Sequence, residues 1–165
     1  MTQKKGQKGF SLVELLIVVA IIGIIAAIAV PNLLASRRAA NEGSAQSSLR
    51  TIHSSEGTYA ATKGDGDFGS MSELEGEKLV DPVLGTNKKS GYTFAVNNTD
   101  KNSAADPPTL STFYATAVPT NTSGVSQSGT RRFGITDDGV MHGDAQSMTA
   151  YADRDAVINA AALGN

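Results

Sequence analysis

The segment FSLVELLIVVAIIGIIAAIAVP, residues 10–31, is a long apolar stretch in which Glu14 is the one charged residue. From Leu15 to Val30 every residue is apolar or glycine. A helix of about 21 residues rises roughly 30 Å, which matches the hydrocarbon core of a bilayer. The sequence therefore predicts a membrane-spanning helix close to the N-terminus.

The charges on either side of this segment bear on its orientation. Lys4, Lys5 and Lys8 precede it without any acidic residue, so the positive-inside rule predicts a cytoplasmic N-terminus and an external remainder. Arg37 and Arg38 follow the segment closely and favour the opposite orientation. The basic N-terminal flank sets the expected orientation.

The junction between the basic flank and the apolar run carries a motif, KGFSLVELL, residues 8–16. Here the chain resembles the type IV prepilin family, whose short basic leader ends in glycine and precedes a retained hydrophobic segment. The resemblance implies that residues 1–9 are a leader, which a prepilin peptidase removes by cutting between Gly9 and Phe10. It also implies N-methylation of the new Phe10 amine.

Glu14 is the residue of this segment that hydrophobicity does not explain, because a carboxylate inside a membrane helix costs about 2.5–3.5 kcal/mol at the helix centre. One interpretation places it in the first helical turn, where a negative charge interacts favourably with the helix dipole. The resemblance implies another, in which Glu14 pairs with the Phe10 ammonium of a neighbouring subunit. Such a pair would fix the register of assembly, since removing either charge leaves the other unpaired.

Gly23 and Pro31 mark the weak part of the predicted helix. Glycine lowers helix propensity by about 1 kcal/mol relative to alanine, and proline removes one helical hydrogen bond. A modest kink in a membrane helix is one expectation. The resemblance implies a second, in which residues 23–31 melt locally within a filament and let it extend.

The helical pattern continues beyond Pro31. Four apolar or aromatic residues and one glutamate recur at spacings of three and four, so they fall on one stripe of a helix: Ala45, Leu49, Ile52, Glu56 and Tyr59. A helix over residues 10–60 would be roughly 75 Å long, so it must protrude from so small a protein. The resemblance implies the α+β ladle fold of pilins, with the second half of a long protruding helix packed on a small antiparallel sheet.

Residues 61–165 are expected to form the globular head, with an αβ-loop followed by the sheet. Four strands are predicted: Tyr92–Val96, Thr112–Val118, Arg132–Thr136 and Val140–His142. Asp138-Gly139 between the last two predicts a two-residue hairpin turn in which both residues take positive φ. Short connections then predict an antiparallel meander covered by the long helix.

Two other segments of the head carry weaker patterns. Residues 72–80 predict a short helix that Asp81-Pro82 ends. Residues 153–163 fit a terminal helix and an ordered coil equally well. The chain has no cysteine, so a disulfide of the kind that closes the C-terminal loop of many pilins is absent, and residues 120–165 need another means of attachment.

The composition argues against catalysis and against nucleic-acid binding. A net charge of −2 lacks the basic excess that phosphate contacts require. No nucleophile elbow, phosphate loop or dinucleotide fingerprint occurs. His53 and His142 are expected to be packing or surface residues, so we predict no enzyme, cofactor or metal.

Two groups of aspartates raise the question of calcium. Asp65 and Asp67 begin a calcium-loop pattern that lacks its later glycine and glutamate, which favours a solvated loop. The resemblance leaves one calcium site open, because pseudopilins often carry one near their C-terminal strands. Asp137, Asp138 and Asp144 are the residues that could form it here.

These observations predict the major structural subunit of a type IV pilus, inserted in the inner membrane as a precursor and then polymerised into an extracellular filament for motility or adhesion. Its partners would be other copies of itself, the prepilin peptidase, the pilus assembly machinery and membrane lipid. A minor pilin and a type II secretion pseudopilin are the alternatives. A membrane-anchored extracytoplasmic protein that never polymerises is a further one.

Overall fold

The computed structural model describes residues 9–145 and 149–163. They form two compact units, which divide between Ser36 and Arg37, and one helix, α1 (Leu12–Thr62), contributes to both. Lys4, Lys5 and Lys8, on which the predicted orientation depends, lie outside the described residues, as does most of the predicted leader. The helix predicted over residues 10–60 is confirmed.

The second half of α1 packs through the stripe that the sequence predicts. Ala45, Leu49, Ile52 and Glu56 are fully buried, and Tyr59 is partly buried against the same core. The spacing of three and four residues aligns them on one face of the helix. This face covers the apolar side of the sheet.

Two short helices follow α1, and they correct the prediction of a single helix over residues 72–80. The first, α2 (Met71–Gly76), starts with a capping box and ends before Lys78, which has φ 58°. The second, α3 (Pro82–Gly85), has Asp81 as its N-cap. Asp81-Pro82 thus begins a helix, because proline at the first helical position lacks only an N–H that would have no helical acceptor.

The sheet is an antiparallel meander with strand order β1-β2-β3-β4-β5. Its strands are β1 (Lys88–Lys89), β2 (Tyr92–Thr99), β3 (Thr112–Pro119), β4 (Arg132–Thr136) and β5 (Met141–Asp144). The four predicted strands are present, β2 is longer than predicted, and the short edge strand β1 is additional. The α+β fold class is confirmed.

The hairpin between β4 and β5 is present, but its predicted turn type is wrong. Of the two turn residues only Gly139 has positive φ, 75°. Asp138 Oδ1 instead accepts hydrogen bonds from Thr136 Oγ1 at 2.6 Å and Val140 N at 2.9 Å. This side chain stabilises a longer connection, in which residues 136–140 lie between the paired Ile135 and Met141.

The C-terminal segment contains both of its predicted alternatives. A short helix, α4 (Arg154–Ile158), is capped by the Asp153 side chain and buries Val157. Ordered coil follows, and Ala162 forms a β-bridge with His142 of β5. The free edge of β5 is therefore partly covered by the chain's own tail.

Candidate processing and assembly segment

Two hydrogen bonds to side chains cap the N-terminus of α1. Ser11 N donates to Glu14 Oε2 at 2.9 Å, and Val13 N donates to Ser11 Oγ at 3.3 Å. Two backbone N–H groups that the first helical turn leaves unbonded are thereby satisfied. Glu14 thus has a role within its own chain, as the first-turn interpretation predicts, and its predicted pairing with a neighbour concerns an assembled state.

Gly9 and Phe10 precede the helix and are exposed, with Phe10 84% accessible. A Cβ placed on Gly9 would meet nothing within 4 Å. Within the described residues, the fold itself therefore gives no steric reason for glycine at this position. The peptide bond between the two residues is open to an external protein.

The first half of α1 exposes apolar side chains all round. Its large hydrophobic residues from Leu12 to Leu33 are about half exposed or more, and Leu34, the next residue, is partly buried. The helix is long and apolar enough to cross a membrane. A helix that is apolar on every face needs lipid or other helices around it.

Gly23 and Pro31 lie inside a continuous helix in the single chain. A Cβ at Gly23 would meet nothing within 4 Å, so close packing does not require the glycine here. Both residues lower the stability of the helix between them without breaking it. Local melting of residues 23–31 concerns the filament and stays a prediction.

Three polar side chains at one end of the buried half of α1 hold a distant segment, residues 127–130. We call these three hydrogen-bonded pairs the polar clamp: Arg38 Nη1 donates to Gln127 Oε1 at 3.1 Å, Asn41 Nδ2 donates to Ser128 O at 2.8 Å, and Thr130 N donates to Glu42 Oε1 at 2.7 Å. Thr130 Oγ1 adds a second bond to Glu42. Sequence reasoning missed the clamp because its partners lie 87–89 residues apart.

The aspartates considered as calcium ligands have partners within the protein. Lys101 N donates to Asp67 Oδ1 at 2.7 Å, and Lys101 Nζ contacts the main-chain and side-chain oxygens of Asp65. The Lys101 ammonium also lies 3.9 Å from Asp67 Oδ2. The loop that the sequence predicts to be solvated is therefore fastened to residue 101.

The C-terminal aspartates are used in the same way. Asp137 receives two hydrogen bonds from Arg154, at 2.6 Å and 3.0 Å. Asp144 pairs with Arg132 at 3.2 Å, and Asp138 caps the hairpin. Among the described residues, no group of three or more His, Asp or Glu side chains is arranged to hold a metal ion.

The two histidines have packing positions. His142 is buried, and its Nδ1 lies 2.9 Å from Ala160 O, where it ties β5 to the tail. His53 is partly buried on α1, with its ring 5.9 Å from that of Phe113. Both rings thus contact other parts of the head.

Glu56 is a buried carboxyl at the other end of the α1 stripe. Its Oε2 accepts a hydrogen bond from Gly69 N at 2.8 Å, whereas Oε1 has no hydrogen-bond partner among the described residues. Burial raises its pKa to about 7; the Gly69 hydrogen bond opposes this rise, and the charge of Glu73 adds to it. Glu56 therefore holds the loop after α1 from inside the core.

Known proteins share the N-terminal part of the chain. Residues 4–30 match the family described as the prokaryotic N-terminal methylation motif. The chain is 60% identical over 38 residues to the type IV wide pilus major component PilA4 of Thermus thermophilus, an overlap of 23% of this chain and 29% of that protein. No solved structure matches.

Two further relatives extend the comparison. The type IV major pilin protein PilA of Myxococcus xanthus is 31% identical over 101 residues, covering 61% of this chain and 44% of PilA. The type II secretion system core protein G of Aeromonas hydrophila is 35% identical over 57 residues, covering 34% of this chain and 40% of that protein. The chain thus spans less than half the length of these relatives.

The chain carries an N-terminal methylation motif at the start of a long apolar helix, which places it in the class of proteins that share this motif, and an antiparallel sheet follows the helix. Within this class, the motif and the similarity to two pilins support the assignment of the chain to the type IV pilin family.

Proposed function

We propose that the chain is a structural subunit of a type IV pilus, and specifically a major pilin. The observation that carries the proposal is the first half of α1, whose apolar side chains are exposed on every face. Lipid would cover this surface before assembly, and the same helix of neighbouring copies would cover it in the filament. The names of two relatives, a pilus major component and a major pilin, favour this function.

The proposed maturation begins with cleavage between Gly9 and Phe10 and N-methylation of the Phe10 amine by a prepilin peptidase. Residues 1–9 are then the leader, residues 10–60 the helix, with 10–31 in the membrane, and residues 61–165 the head. The precursor would lie in the inner membrane with its N-terminus in the cytoplasm. The pilus assembly machinery would then transfer it to an extracellular filament for motility or adhesion.

Glu14 would be the residue that aligns subunits. Its carboxylate already accepts the Ser11 amide in the single chain, which leaves further lone pairs for the Phe10 ammonium of a neighbour. In an apolar helix bundle the two charges would offset each other's desolvation. The role is structural, and the proposal includes no catalytic step.

A core component of a type II secretion system is the second candidate, because one relative bears that name. A minor pilin is a third. These candidates share the proposed maturation, so processing alone does not separate them. Abundance in the fibre does, because a major pilin is the dominant component and a minor pilin is not.

The decisive experiment is mass spectrometry of fibres sheared from cells that produce this chain or its Glu14→Ala variant. The proposal expects this chain as the main component of the fibres, beginning at a methylated Phe10, and a loss of fibres in the variant. Fibres that contain little of it would favour a minor pilin or a secretion component. An uncut Gly9–Phe10 bond would overturn the assignment.

A further inference from the structure

The polar clamp acts on a stretch of α1 in which no side chain is fully buried, and Ser44 Oγ adds a hydrogen bond to Ser90 Oγ at 2.9 Å at the end of this stretch. Arg37 to Ser44, within the described range 9–145, contains no buried side chain, and Ala45 is the first residue of α1 that is fully buried. Apolar packing therefore secures the helix only from residue 45 onward. Arg38, Asn41 and Glu42 lie before that point.

The clamp's partners are themselves in a closed loop. Ser128 N donates to Asn121 O at 3.0 Å, and Asn121 N donates to Ser128 Oγ at 3.1 Å, so residues 121 and 128 close the loop between β3 and β4. Thr120 N donates to Gly91 O at 2.9 Å, which joins the loop to the start of β2. The clamp therefore fastens α1 to a segment that the sheet holds.

Two of the three pairs of the clamp involve main-chain atoms of the partner segment, whereas Arg38 and Gln127 contact each other through their side chains. Glu42 accepts from both the main chain and the side chain of Thr130, and Asn41 donates to a main-chain carbonyl, so neither depends on the rotamer of a flexible partner. Hydrogen bonds to an ionised carboxylate are shorter and stronger than neutral ones. The side chains of Arg38, Asn41 and Glu42 are all partly buried.

We infer that the polar clamp sets the point at which α1 becomes a fixed part of the head, at Arg38 and not at the first core residue, Ala45. If the helix unravels from Pro31 or from a point nearer the N-terminus, the unravelling then stops at residue 38. In a filament, the clamp would limit how much of the helix unravels when the fibre is pulled. This part of the inference rests on the proposed function. Without it the limit moves two turns into the head.

Hydrogen exchange of the full chain in mild detergent micelles tests this inference. The peptides to follow cover residues 38–44 and residues 46–56. In the wild type both should exchange slowly. In the double variant Asn41→Ala, Glu42→Ala the first should exchange at least tenfold faster, with the second unchanged. Alanine favours helix more than the residues it replaces, so lower helix propensity would not explain such a result.

Arg37→Ala is the matched control, because Arg37 lies in the same stretch and is exposed. It should leave both peptides unchanged. Equal protection of residues 38–44 in the wild type and the double variant would overturn the inference, as would rapid exchange there in the wild type. Since the micelle sample is not polymerised, a failure to form fibres would refute the proposed function and leave this result standing.

The same exchange measurement on sheared fibres extends the test to the assembled state. If the clamp limits unravelling, residues 38–44 stay protected in wild-type fibres and lose protection in fibres of the double variant. Unchanged protection in those fibres would show that contacts between neighbouring subunits hold the segment, which would overturn the proposed role in the filament.

Discussion

The Glu14 carboxylate accepts a hydrogen bond from the Ser11 amide at 2.9 Å, so the acidic residue of the apolar helix also caps that helix. Capping and pairing with a neighbour make different demands on the side chain. Capping needs an acceptor oxygen, which glutamine also has, whereas pairing with an ammonium needs the charge. Glu14→Gln and Glu14→Ala therefore separate the two roles.

We expect both variants to be cut after Gly9, and both to lose fibres, because each removes the charge that would meet the Phe10 ammonium. The measurement is the amount of this chain in sheared fibres, with the precursor and mature forms in the membrane as control. Normal fibres from Glu14→Gln, together with none from Glu14→Ala, would show that capping is the role that matters and that the ion pair is dispensable.

The buried Glu56 makes the stability of the head depend on pH. Its pKa is raised from 4.5 to about 7 in the folded state. Between these values the unfolded chain loses the proton while the folded chain keeps it, so stability falls as pH rises and levels off above pH 7. At 1.36 kcal/mol per pKa unit, the fall amounts to about 3 kcal/mol.

Glu56→Gln should remove this dependence. The amide keeps an oxygen for the Gly69 N–H, but its NH2 group meets no acceptor, so at pH 8 we expect a gain in stability of only about 1–2 kcal/mol. Thermal unfolding followed by near-UV circular dichroism reports on the head, because all four tyrosines lie at or after residue 59. Glu75→Gln, at an exposed position, is the control; the same pH dependence in Glu56→Gln as in the wild type would contradict the assignment.

The sequence predicted those parts of the fold that depend on neighbours along the chain. The stripe from Ala45 to Tyr59 and the apolar run after Leu15 follow from periodicity and composition alone. The cap formed by Ser11 and Glu14 was not predicted, although the spacing Ser-x-x-Glu is a local signal for a helix N-terminus. Each of these features lies within a single helix, so predicting it requires no knowledge of how distant segments pack.

The parts that could not be predicted depend on distant residues or on a single side chain. The β4–β5 turn differs because Asp138 bonds to Val140 and Thr136, which dipeptide preference does not include. The polar clamp and the Lys101 contacts join segments that become neighbours only after the sheet forms. No local pattern encodes such pairs.

The C-terminal segment is attached to the sheet without a disulfide. The ion pair between Arg154 and Asp137 is the contact in this attachment that a substitution tests best. Arg154→Met keeps the alkyl stem and removes both hydrogen bonds to Asp137. The two side chains are 33% and 24% exposed, so solvent weakens the pair, and we expect a loss of about 1–2 kcal/mol. The measurement is again the thermal midpoint from near-UV circular dichroism.

Asp155→Asn is the control for this substitution, because Asp155 lies in the same helix, α4, and is exposed. It should change the midpoint little. Equal midpoints for Arg154→Met and the wild type would mean that other contacts, such as the buried Val157 and the His142 bond to Ala160, secure the tail by themselves.

Calcium should leave the stability of the head unchanged. Asp137 and Asp144 are paired with arginines, and the Lys101 ammonium lies between Asp65 and Asp67, so bound calcium would have to displace a cation that the fold supplies. A site whose Kd is one hundredth of the calcium concentration would add about 2.7 kcal/mol. For a chain of this size that shifts the thermal midpoint by roughly 5–10 °C.

The measurement compares thermal midpoints in millimolar calcium and in a chelator, for the wild type and for Lys101→Ala. We expect equal midpoints for the wild type. A calcium-dependent rise in Lys101→Ala alone would show that the ammonium occupies the place of a cation between the two aspartates. A rise of several degrees in the wild type would reveal a calcium site and favour the type II secretion alternative over a major pilin, because the resemblance associates such a site with pseudopilins.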